Sequence, residues 1–213
     1  MVELMVGIAV GLFVVAGAVT MTSTQLGDNR RLLLETQLHQ DLRSSADIIS
    51  RDLRRAGHWR TAEEGIWIPS VPAAKNPWTT VLRTGTQQVE YYYRRGPGSL
   101  TNAYGFRLDT DTQTLKTKMD TGGWQDLTDY RTMRVTNLTI SEVASPPMVL
   151  PCPKLCADGT DACWPRVAVR SLDVDITGQA ASDPSVVRRL RTNVRIRNDL
   201  VQFNNGANPI CPV

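Results

Sequence analysis

The chain has 213 residues, with 24 Lys and Arg against 21 Asp and Glu and a net charge of +3, an excess too small by itself to imply a polyanionic partner. About 150 residues follow position 57, enough for one small domain with a single core of ordinary size. The four cysteines, Cys152, Cys156, Cys163 and Cys211, lie in the C-terminal third, an even set that suits an oxidising compartment such as the bacterial periplasm.

Residues 1–27 make the first element. Glu3 is followed by an apolar run through Val19, and no further charge appears until Asp28. One helix of that length can cross a bilayer, for which about 20 apolar residues suffice. Nothing basic precedes the run and no small-residue cleavage box ends it, so it does not read as a removable signal peptide. Glu3 is the anomaly, because an acid at the head of an apolar helix costs a few kcal/mol in lipid unless it is paired. The plainer reading sets it at the headgroup level, favoured by the helix dipole. Arg30 and Arg31 just beyond the span would keep that side cytoplasmic by the positive-inside rule, whereas the cysteines place the same side in an oxidising compartment.

Residues 28–57 continue as an amphipathic helix. Leu34, Leu38, Leu42, Ala46, Ile49, Leu53 and Ala56 recur at spacings of four and three, the period of an apolar stripe that must lie on something. Asp47 and Arg51 stand one turn apart on the polar side, a pair worth a few tenths of a kcal/mol. Gly27 lowers helix propensity between the halves and marks a candidate kink. No proline precedes Pro69. Gly57, after Arg54 and Arg55, suits a C′ position with cations at the negative end of the dipole.

From residue 58 to 213 the period changes to that of strands: runs rich in Val, Ile, Thr and aromatics at 66–68, 79–82, 88–94, 106–109, 114–119, 133–143, 166–177 and 187–197 alternate with turn residues. Pro69, Pro72 and Pro77 make the first connection a loop, Gly96-Pro97-Gly98 a turn and 109–112 a hairpin loop. The whole predicts an α+β fold, a long helix from about residue 2 to 56 packed through its second half on one antiparallel β-sheet.

The segment 151–165 holds three of the cysteines with three prolines and Gly159, a composition of neither helix nor strand. There is no C-x-x-C pair, and neither His39 nor His58 is near in sequence to complete a zinc site, so disulfides are expected, with three connectivities open. The arrangement we expect is a bridge within this exposed loop, with its remaining cysteine tied to Cys211. The loop would then serve as a tethered surface segment or a contact surface.

Catalytic patterns are missing: no H-E-x-x-H, G-x-S-x-G or phosphate-binding Gly loop, and no cysteine with an activating histidine. His39 and His58 read as solvated or capping residues. Asp109, Asp111 and Asp120 invite a calcium site, but a loop starting at Asp109 has Thr114 where Gly is required. Asn137-Leu138-Thr139 is a formal sequon inside a probable strand. Arg189, Arg191, Arg195 and Arg197 share one face of the last long strand, and Asp173 and Asp175 alternate with Leu172, Val174 and Ile176 on the preceding one. Antiparallel pairing of suitable parity sets acids opposite arginines, and without interleaved aromatics for stacking no nucleic acid is expected.

Two groups of residues carry a family resemblance. The opening 2–11, Val-Glu-Leu-Met-Val-Gly-Ile-Ala-Val-Gly, resembles the start of type IV pilins and type II secretion pseudopilins. In that family a short basic leader ends in Gly, a prepilin peptidase cuts after it, and the new N-terminal residue, usually Phe, is methylated. Met1 falls at the family's third mature position, so Glu3 matches its glutamate. Farther on, Val89-Glu90-Tyr91-Tyr92-Tyr93, Tyr104-Gly105-Phe106-Arg107-Leu108, Gly122-Gly123-Trp124 and 135–140, with 51–57 and 195–199, are similar in their order to minor pilins of the PilW type and J-type pseudopilins. The resemblance implies a pilin-like fold and a non-catalytic minor pilin without cofactor or metal, acting in type IV pilus initiation or at its tip. Its partners would be other minor and major pilins and the assembly machinery. It would wait in the inner membrane, with its domain in the periplasm, before joining the pilus. Glu3 would pair with a neighbouring subunit's amino terminus. A type II secretion pseudopilin and a membrane-anchored periplasmic binding module are the alternatives.

Overall fold

The computed structural model describes residues 2–65, 74–93, 103–119, 122–202 and 211–212. A single helix, α1 (Val2–Leu53), runs unbroken through Gly27. The expected stripe is the face it buries: Leu38, Leu42, Ala46, Ile49 and Leu53, joined by Ser45, whose hydroxyl donates 2.8 Å to the Asp41 carbonyl. Leu34 packs partly buried at the stripe's start and Ala56 is fully buried at its end.

The last helical turn tightens, with Arg55 N donating to Asp52 O and Ala56 N to Leu53 O, until Gly57 turns the chain at φ +73°. A left-handed residue there ends the helix, as its sequence position suggested. The final carbonyls take side-chain partners from distant loops, as buried helix ends must. Asn198 Nδ2 donates to Ala56 O and Asn76 Nδ2 to Gly57 O. A short 3-10 helix, Ala62–Gly65, follows.

The strands β1 (Val81–Arg83), β2 (Gln88–Tyr92), β3 (Ala103–Asp109), β4 (Thr114–Lys118) and β5 (Trp124–Asp126) form an antiparallel meander. A second sheet has β9 (Arg170–Ala180) between β6 (Met133–Ala144) and β10 (Val187–Arg195); a third has β8 (Arg166–Ala168) between β7 (Met148–Val149) and β11 (Leu200–Gln202). Every ladder is antiparallel, and with α1 the architecture is α+β and pilin-like.

Helix α1 rests on β9 and β10. Leu172, Val174 and Ile176 from β9 and Val194 from β10 meet its stripe in one core, which also takes in Tyr91, Tyr93, Tyr104 and Phe106 from the meander side. The aromatic rings stack at centroid distances of 4.2 to 6.4 Å. Burial drives the Tyr91 phenol upward, so it stays neutral. Gly178 lets the helix close on the sheet, because a Cβ there would lie 3.1 Å from Met133 Sδ and 3.3 Å from Leu42 Cδ2.

Two expectations need correction. The β part is three hydrogen-bonded sheets instead of one, and the run at 166–177 is two strands broken at Val169. The reason is a corner: Val169 bonds Ser145 through both its N–H, to Oγ at 3.0 Å, and its carbonyl, at 2.9 Å. That contact turns the chain from the β7–β11 sheet into the β6–β10 sheet. The expected strand at 66–68, the loop prolines 69 and 72, the 96–98 turn, Arg94 and Asp120 lie outside the described residues.

Candidate functional site

Glu3 stands in the first turn of α1, and the helix beyond it is long and apolar enough to cross a membrane, with nothing in its most apolar stretch buried against the domain. Phe13 is 81% exposed. The hydroxyls in this stretch are satisfied within the helix, Thr20 on Gly17 O, Thr22 on Ala18 O and Thr24 on Met21 O at 2.8 to 2.9 Å. Hydrocarbon requires such internal satisfaction, having no water to offer. Glu3 is about 46 Å along the helix axis from Leu34, where contact with the domain begins, so the structure keeps it apart from every other residue singled out in the sequence.

Outward-facing charges on β9 and β10 do meet. The register sets Arg191 opposite Asp175 and Asn193 opposite Asp173, and the long arginines reach one pair diagonally. Arg189 grips Asp175 with Nε at 2.8 and 3.0 Å and with Nη2 as well. Arg191 holds Asp173 at 2.8 Å, and Asn193 donates to the same carboxylate at 2.6 Å. Both acids are held below their ordinary range, Asp175 by the Arg189 fork and Asp173 by Asn193 and then Arg191. Arg188 points the other way and pairs with Glu35 of α1, which also accepts from Arg31. That link pins the helix to the sheet edge just where it leaves the domain, and no local period in either segment signals it.

The cysteines form two disulfides, Cys152–Cys211 and Cys156–Cys163, with Cα separations of 5.5 and 5.9 Å. Inside the smaller ring Cys156 N donates to Thr160 O, Gly159 N returns to Cys156 O, and Asp158 Oδ1 accepts from both the amide and hydroxyl of Thr160. Trp164 Nε1 donates to Lys154 O at 2.9 Å and closes the outside of the ring. The larger bridge ties Cys211 to Cys152, three residues past the end of β7.

The acids at the 109–112 turn serve the chain itself. Asp109 accepts from the amides of Asp111 and Thr112 and pairs with Lys116 at 3.0 Å, the same ammonium lying 3.5 Å from Asp126. The lysine fills the place a cation would need, and it lowers the Asp109 carboxyl to about 2. Among the described residues no cluster of His, Cys, Asp and Glu fits a metal ion. His39 and His58 are exposed on and just after α1.

The family model described as PpdB, prepilin peptidase-dependent protein B, matches residues 31–196. The match takes in the docked half of α1 and the chain to the end of β10, and it leaves out the apolar half with Glu3. No curated protein and no solved structure matches.

Proposed function

The chain belongs to the prepilin peptidase-dependent protein B family, a pilus-related family, and from that premise we propose that it is a non-catalytic minor pilin of the PilW type. It acts in type IV pilus initiation or at the tip, by packing against other subunits. Before assembly it stands in the bacterial inner membrane with its domain in the periplasm, where its disulfides persist.

The observation that carries this reading is the division of α1. One continuous helix devotes its second half to the domain core and leaves its first half, apolar from Leu4 to Val19 behind Glu3, uncovered. A helix apolar all round needs lipid or other helices around it, and the same segment can exchange one for the other without refolding. Glu3 is the group for which the exchange matters, since a carboxylate in an apolar surround is held only with a partner charge.

Glu3→Ala, expressed to the normal level, should lower pilus number severalfold by electron microscopy, with disulfides and domain stability unchanged. Normal piliation would refute the role of Glu3. Crosslinking of the intact protein in membranes should capture other pilin-like subunits. A membrane-anchored binding module that never assembles would yield none, and a type II secretion pseudopilin would yield secretion subunits instead.

A further inference from the structure

The outward-facing arginines of β10 and of the bend that follows it divide into two sets. Arg189 and Arg191 are neutralised by Asp175 and Asp173. Farther along, Arg195 has only a 3.8 Å contact with Asp199, and Arg197 has no ion pair among the described residues. These last two converge with the end of α1. Arg197 N donates to Arg54 O at 3.4 Å, which brings the strand end beside Arg51, Arg54 and Arg55. Two shallow grooves of about 440 and 340 Å³ share Arg54 and Arg197 as walls, and between them all five arginines line the surface. Arg51 and Arg54, like Arg197, have no ion pair among the described residues, while Arg55 makes a 3.6 Å contact with Asp52. Among the described residues Asp47 is the one acid lining the grooves; Asn193 and Ser50 complete them.

The helix dipole accounts for cations at the end of α1, but not for Arg195 and Arg197, brought from the end of β10 and the bend after it. We propose that this groove binds the phosphodiester backbone of a nucleic-acid duplex, without regard to sequence. Its chemistry separates the anions it could meet. Among the described residues the lining holds no apolar side chain, so an acidic protein segment would find no apolar centre to bury and only exposed ion pairs, each worth about 0–1 kcal/mol. Lipid headgroups are out of range: Arg51 lies about 36 Å along the axis from Gly27, where the apolar half ends, several times the screening length of about 8 Å. A phosphate backbone draws its affinity from such a row of exposed cations through counterion release. The guanidinium fork matches phosphate oxygens two at a time. Among the described residues no aromatic side chain lines the groove, which favours a duplex over stacked single-stranded bases. The expectation of no nucleic-acid partner weighed only the strand arginines with their acids; the groove draws most of its charge from the last turn of α1 and the turn after it.

The full chain in nonionic-detergent micelles, titrated against a fluorescent DNA duplex of arbitrary sequence and followed by anisotropy, tests the proposal. Three free arginines give a slope of log affinity on log salt of about −2.7, about a fortyfold loss between about 50 and 200 mM salt. The variant R51Q/R54Q/R197Q should bind at least tenfold more weakly at the lower salt with an unchanged melting temperature. Arg197→Gln alone, should the triple variant fold poorly, should reduce the slope by about one, and Arg189→Gln should bind as wild type. No binding by the wild type, a salt-independent affinity, or variants that bind unaltered would overturn the proposal. Displacement of the duplex by poly-glutamate at equal charge would also overturn it and assign the groove to an acidic protein. The measurement needs no filament, so its failure leaves the assembly reading standing, and loss of piliation in Glu3→Ala says nothing against the groove.

Discussion

The two halves of α1 share one backbone and differ in everything outside it. Ile49 is 0% exposed and Phe13 81%, although both are large apolar residues on the same continuous helix. The difference lies in what surrounds the apolar positions in sequence. Between 34 and 56 they recur every three or four residues with charges between, so one face finds the sheet and the other finds water. Between 4 and 19 they run on all sides, and no single face can be satisfied by one domain. Helix geometry is therefore common property, while the spacing of polar residues decides which half belongs to the fold and which to the surroundings.

A charge placed in each half is the strongest way to break this contrast. Leu42→Asp would bury a carboxylate beside Met133 and Gly178, and with a penalty of several kcal/mol the domain should lose its cooperative thermal transition. Val14→Asp should leave that transition where it is and impair membrane insertion by about 3 kcal/mol, read as the fraction of chain recovered with membranes. Equal effects of the two on the domain's melting temperature would dissolve the distinction.

The disulfides sharpen it next, since both lie on the domain side. Removing Cys152–Cys211 as a double Ser variant should cost about 4 kcal/mol, because it closes 59 residues, and removing Cys156–Cys163 about 2 kcal/mol, because it closes 7. Urea denaturation of the three proteins, wild type and the two variants, with and without reductant, gives the order. A larger loss from the small ring would mean that it carries packing beyond its loop.

Gly57, just past the end of α1, and Gly27, within it, should respond with opposite sign. Gly57→Ala puts a Cβ at φ +73°, 3.2 Å from the Asn198 Cβ, and should destabilise the domain by about 1–2 kcal/mol. Gly27→Ala meets nothing within 4 Å and should favour the helix by up to about 1 kcal/mol, seen in helical content by circular dichroism and not in the domain transition.

Acid gives the smallest effect. Asp109 is depressed to about 2 by Lys116 from an ordinary 3.8. A lowered folded value means stabilisation that is complete above the ordinary value and fades as pH falls toward the folded one. Between pH 4 and 2 the domain should therefore melt progressively lower, and Asp109→Asn should flatten that limb while the apolar helix keeps its signal in micelles. An unchanged acid limb in Asp109→Asn would mean the Lys116 pair contributes nothing.

What could be read in the sequence follows the same division. The stripe from Leu34 to Ala56, the end at Gly57 and the long strands were legible, because a period of three and four or of two is written locally. Strands β5, β7 and β11 have two or three residues each, too few to display a period, and they exist only because a neighbour pairs them. The corner at Val169 rests on Ser145, 24 positions away, and looks like uninterrupted strand from within. At the candidate site, the parity of β9 and β10 could be deduced from alternation. The diagonal reach of Arg189, the Arg188–Glu35 link and the groove between 51–55 and 195–197 could not. Each joins positions that only the folded chain brings together.

The Cys152–Cys211 bridge has a mechanical meaning. Strands β9 and β10, the seat of α1, lie wholly within the 59 residues it closes. A pull delivered along the helix can peel the seat, but it cannot draw out that length, about 200 Å of extended chain, while the bridge stands. The domain would yield under load by a short, bounded give and then hold, with the covalent ring bearing the tension in place of the hydrogen bonds.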